Sequence, residues 1–276
     1  MDIDPVPPPD DRSLRTHAHP RRWLASAALL TPPLYALLWL ALPYAWRYWR
    51  AVVGWGARQL DPSLTAVVLG YPARAPRVPL LSINLAARMP SGALLLATAA
   101  VCAAVCGATF VRRTKWLPVA YLLRIAAFAQ LMICVYFWAM YGPAAAAASG
   151  IATPGVATPG VATPGAFPYD ALLHLRDVFV MNVAAIALIP LVMAALYYPL
   201  DFSFAQKAFA SLLVLGYFVL ALPFVLLLHA VVIYHGSLLF VPFCYFVLGA
   251  PLLIGLLVTL YSYCASWRGA LTREPP

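Results

Sequence analysis

Six long apolar runs constrain this chain more than any other feature: about Trp23–Trp46, Ser91–Val111, Trp116–Met140, Val178–Leu200, Ala208–Ile233 and Ser237–Tyr263. Roughly 20 predominantly apolar residues are needed to cross the hydrocarbon core of a bilayer as a helix, and each run meets that length. Backbone groups in lipid need partners within the chain, which makes helices the form available to runs this long. Only 10% of residues are charged, against about 25% in a soluble domain, and the mean hydropathy is +0.84. The expected fold is an all-α polytopic membrane protein. A six-helix domain over 23–263 lies between a disordered N-terminal tail, 1–22, and a C-terminal tail, 264–276.

The N-terminal segment MDIDPVPPPDDRSLRTHAHPRR is polar and proline-rich, a composition that resists burial. The apolar run after it is too long for a signal-peptide core and lacks a small-residue cleavage site, so no cleavable signal is expected. His17 and His19 have no thiol or carboxylate company and read as solvated. None of the five cysteines (Cys102, Cys106, Cys134, Cys244, Cys264) forms a C-x-x-C pair. The expectation is therefore inert packing thiols, with no disulfide framework, no metal and no cofactor.

The net charge is +9, but the basic residues fall at the ends of the runs and no nucleic-acid-reading motif accompanies them. Anionic lipid headgroups are the expected partner, not nucleic acid. The short turn Arg112-Arg113-Thr114-Lys115 and the greater basic content of the N-terminal side predict cytoplasmic termini.

Two outer loops follow, at about 50–90 and 141–177. In the first, residues 51–60 extend the first span as an amphipathic helix in the membrane interface, with Trp46, Trp49 and Trp55 suited to the headgroup zone. TAVVLGY (65–71) and VPLLSINLA (78–86) flank a proline-rich turn and predict a small extracytoplasmic β-hairpin-like element. The second loop carries a pentapeptide written three times, IATPGVATPGVATPG at 151–165. Pro-Gly every five residues blocks helix and ladder alike, so it reads as a flexible linker. PYDALLHLR (168–176) reads as a short interfacial helix leading into the fourth span.

Within the spans, Ala97, Ala100, Ala104 and Ala108 recur at helical spacing, a stripe that permits close helix packing. Ionisable residues in spans mark functional positions. Arg124 either snorkels to the inner interface, with Asp201 as a partner, or faces the bundle interior to hold an anionic substrate. Gln130 and Asn182 are the other polar groups that a substrate path would use. Cys134 and Cys244 share the outer half of the bundle with His229 and His235, and a Cys–His pair can generate a nucleophilic thiolate. These four are the catalytic candidates. No P-loop, dinucleotide, H-E-x-x-H or G-x-S-x-G motif is present.

Arg124 in YLLRIAAF and His235 in YHGSLLFVPF resemble the arginine and the histidine-plus-glycine segment of exosortases, membrane transpeptidases of bacterial sorting systems. The position of that family's cysteine reads RMPSGALLLA here, without a thiol. LLTPPLYALLWLALPYAW and INLAARMPSGALLLA, within the first 140 residues, resemble the layout of accessory membrane proteins of exosortase systems. That resemblance implies a non-enzymatic accessory or scaffold protein of a cell-envelope assembly or sorting system, with another membrane protein as partner. The alternatives are a transporter component using Arg124 and a divergent membrane transpeptidase.

Overall fold

A computed structural model describes residues 20–69, 79–85, 90–111, 117–148, 170–197 and 202–266. The terminal segments 1–19 and 267–276, the ATPG repeat and Asp201 lie outside the described residues. In chain order the elements are α1 (Pro20–Leu60), β1 (Ala66–Leu69), β2 (Leu80–Ile83), α2 (Gly92–Val111), α3 (Leu117–Ala148), α4 (Ala171–Leu196) and α5 (Phe204–Gly236). There follow a 3-10 turn (Leu238–Phe240), the single turn α6 (Val241–Phe243), a π-helical segment (Cys244–Leu248) and α7 (Ala250–Ala265). Among the described residues, six segments are long and apolar enough to cross a membrane: Trp23–Leu60, Gly92–Phe110, Val119–Ala139, Ala171–Leu196, Phe204–Gly236 and Leu238–Cys264. The chain has the makeup of a multi-pass membrane protein.

Two compact units divide the chain: residues up to 42 with 185–218 and 258 onward, and residues 43–184 with 219–257. In the first unit, side chains supply donors to α4 carbonyls. Near the C-terminus the last helical carbonyls have no partner of their own. There the Trp23 indole donates to the Ala194 carbonyl at 2.8 Å and the Tyr261 hydroxyl to that of Leu196 at 3.0 Å. About two turns further in, the Tyr35 hydroxyl reaches the Ala187 carbonyl at 2.8 Å. Lys207, largely buried, donates to the Ser26 hydroxyl at 3.2 Å.

The second unit shows the same economy around a proline. Pro223 lies inside α5, and its missing N–H strips the Val219 carbonyl of its helical donor. The Trp49 indole takes over that role at 2.7 Å, and the Tyr48 hydroxyl donates to the adjacent Leu220 carbonyl at 3.0 Å. Trp49, Val53 and Ala57 form the buried stripe of the second half of α1. Gly56 is the close-approach position, since a methyl there would collide with Leu227. Residues 51–60 thus continue α1 as an amphipathic helix, as expected. Trp49 is buried against Phe179, with ring centroids 5.8 Å apart. Trp49→Phe removes the donor and leaves the Val219 carbonyl unpaired in an apolar interior. The expected cost is about 2 kcal/mol, read as a lower unfolding temperature in detergent; an unchanged temperature would refute the pairing.

β1 and β2 pair antiparallel, with Ala66 opposite Ile83 and Leu69 opposite Leu80. Leu81, Ser82 and Ile83 are fully buried, and Ser82 Oγ donates to the Leu172 carbonyl in the first turn of α4 at 2.8 Å. The strand pair therefore packs on the start of α4. At the end of α1, Asp61 accepts from the Tyr234 hydroxyl of α5 at 3.0 Å. The span expected as one helix over Ser237–Tyr263 is broken at its start. Ser237 has φ 71° and ψ 178°, a region occupied almost only by glycine and costly for other residues. Beyond the single turn α6, regular α-helix resumes after Gly249.

Candidate functional site

His174, His229 and Cys244 come together in the second unit. Three elements deliver them. Asp170 starts α4 by accepting from the Leu172 N–H at 3.0 Å, and one turn later His174 points to the buried side, on the stripe shared by Ala171, Leu175 and Val178. His229 lies on α5, and Cys244 opens the π-helical segment. Their exposures are 2%, 0% and 0%. A ligand atom from each lies within 4.8 Å of those from the other two, and no carboxylate belongs to the group.

His174 Nε2 faces His229 Nδ1 at 3.1 Å, with the rings nearly parallel. Tyr245 sets its ring edge-on to His174, with centroids 4.6 Å apart. The outward nitrogens, His174 Nδ1 and His229 Nε2, make no hydrogen bond, although the Leu248 carbonyl lies against the His229 ring. A neutral imidazole carries one N–H and one lone pair. If the facing nitrogens share a proton as N–H···N, an outward lone pair stays unsatisfied, whichever ring donates. The cluster offers two imidazoles and a thiol, all ordinary transition-metal ligands.

Tyr245 also lines an apolar cavity of about 810 Å³ bounded by Met132, Met181, Leu238, Val241 and Pro251 among others. Met181 lies two helical turns from His174 on α4.

The remaining sequence candidates are dispersed. Arg124 sits on α3 and donates from Nε to Thr109 Oγ1 at 3.3 Å and from Nη2 to the Thr109 carbonyl. Its guanidinium lies 4.3 Å from the Phe110 ring centroid. Thr109 is in the last turn of α2, where carbonyls lack helical partners and the dipole is negative, so Arg124 acts as a C-terminal cap for the neighbouring helix. Gln130 donates to the Leu239 carbonyl at 2.5 Å, satisfying irregular backbone in the broken span. Asn182 donates to the Val178 carbonyl of its own helix at 2.8 Å. These three side chains have separate partners. His235 is exposed at the end of α5, and buried Cys134 is not in the cluster.

Of the four catalytic candidates, only His229 and Cys244 meet, and they do so with His174, which sequence reasoning left in an interfacial segment. Cys244 has no exposed surface from which to attack a peptide. The alanine stripe has a different surrounding: Ala97, Ala100, Ala104 and Ala108 are all exposed, whereas Leu95, Thr98 and Cys102 form the buried side of α2. No protein-family model, curated protein or solved structure gives a significant match to the chain.

Proposed function

We propose that the chain is a non-enzymatic accessory or scaffold protein of the bacterial inner membrane, with cytoplasmic termini and an extracytoplasmic β1–β2 element. It serves a cell-envelope assembly or sorting system of the exosortase-associated kind, and its partner is another membrane protein. The observation that carries this reading is the outward alanine face of α2. Small side chains at positions 97, 100, 104 and 108 are exposed, and helices associate in lipid where small residues let backbones approach. A lipid-facing helix has no need of such a stripe, and large apolar residues serve there, as Tyr121, Ile125 and Phe128 do on α3.

The test is copurification of the tagged protein in mild detergent, with quantitative mass spectrometry. Ala104→Leu is expected to leave the chain's own abundance intact and to reduce recovery of its stoichiometric membrane partner about tenfold, which corresponds to about 1.4 kcal/mol. Wild-type recovery with Ala104→Leu would overturn the docking face.

A further inference from the structure

We propose that His174, His229 and Cys244 form a binding site for one Cu(I) ion. Three observations carry the inference. The first is geometric: two nitrogens at about 2.0–2.1 Å from one ion lie roughly 3.3–3.6 Å apart in tetrahedral or trigonal coordination. The facing imidazole nitrogens, at 3.1 Å, come within a few tenths of an ångström of that spacing, with a thiol in the same cluster.

The second is the unfinished hydrogen bonding. A metal-free pair that shares a proton between the facing nitrogens presents a bare outward lone pair to an apolar interior, whichever ring donates. Coordination at the facing nitrogens puts the N–H of each ring on its outward nitrogen and removes that lone pair. A backbone carbonyl near a ring, as that of Leu248 is to His229, is an ordinary kind of outer-shell partner for a ligating histidine.

The third is charge. Two neutral imidazoles and one thiolate sum to −1. Cu(I) makes the buried complex neutral, whereas a divalent ion leaves +1 in a site with no exposed surface, and an uncompensated buried charge is costly. Thiolate also selects soft ions. The neighbouring cavity, which shares Tyr245 with the cluster, adds the thioethers of Met132 and Met181 along its wall, ligands of the same softness.

On binding, the Cys244 S–H proton leaves to solvent and an S–Cu bond forms, with no change in the oxidation state of either partner. The experiment is anaerobic titration of the full-length, reduced protein in detergent with Cu(I), against a chromophoric Cu(I) chelator. X-ray absorption on the one-equivalent sample follows. The expected result is one Cu(I) held by one sulfur and two nitrogen scatterers. His229→Gln and Cys244→Ser should each weaken it by more than the ~10–100-fold that losing an outer-shell partner costs, and Cys134→Ser should leave it unchanged. Where Cys244→Ser fails to accumulate as a monodisperse protein, His229→Gln alone decides the point. Absence of tight binding, binding that neither variant alters, or an all-sulfur environment would overturn the site. Preferential uptake of Zn(II) under the same competition would overturn the assignment of the ion.

Discussion

Gly249→Val is expected to destabilise the protein by about 3 kcal/mol, the upper range for overpacking, and to disturb the His–His–Cys cluster with it. A Cβ at position 249 would stand 2.6 Å from the Tyr245 carbonyl oxygen and 3.4 Å from that of Cys244. Both obstacles are backbone, so no rotamer change relieves the collision. The π-helical segment itself has to move, and that segment carries Cys244 into the cluster and Tyr245 against His174. Gly255 in α7 is the control, because a Cβ there meets nothing within 4 Å. Thermal unfolding in detergent, read together with thiol labelling of Cys244, checks the pair. Strong loss of stability and faster labelling with Gly249→Val, and neither with Gly255→Ala, is the predicted outcome. Equal behaviour of the two variants would show that the break at Gly249 is not what holds the segment in place.

The second large effect is non-additivity at the histidine pair in metal-free protein. His229→Leu leaves both His174 ring nitrogens without a partner in a fully buried setting, at an expected cost of about 3 kcal/mol. His174→Leu takes from buried His229 its imidazole partner. The double variant removes both members at once, and replacing both partners of a buried hydrogen bond by apolar groups can be close to neutral. It is therefore expected to cost less than the sum of the single variants by about 1–3 kcal/mol. Unfolding of the four proteins in chelator gives the coupling directly, and strict additivity would mean that the two rings do not interact.

These effects separate what could be read from the sequence from what could not. The spans were legible because each is a local composition: a run of roughly 20 apolar residues announces its helix without reference to the rest of the chain. The break in the last span was harder. Pro242 and Gly249 are visible in the sequence, but proline is tolerated in many membrane helices, and the positive φ at Ser237 has no residue signature of its own.

The cluster was half legible. His229 and Cys244 stand out as a histidine and a thiol in apolar spans, yet each is separated from His174 by more than fifty residues, and no spacing rule connects them. A usable signal existed: Ala171, His174, Leu175 and Val178 fall at i, i+3, i+4 and i+7, the buried stripe of a helix. Reading PYDALLHLR as interfacial hid it.

Arg124 shows a different limit. Its depth in the third span identified an unusual arginine, but its anchor is an unpaired carbonyl at the end of α2, a backbone group that sequence does not display. For the alanine stripe, spacing announces close packing and says nothing about whether the rest of the chain covers it. Burial shows that it does not: Ala97, Ala100, Ala104 and Ala108 are exposed.

The most direct measurement is site-specific photo-crosslinking in native membranes, with the photoreactive side chain placed at position 104 on α2 and, as the comparison, at position 128 on the exposed face of α3. The proposed docking face predicts a discrete covalent adduct with one other membrane protein from position 104 and none from position 128. Lipid adducts alone from both positions would contradict it.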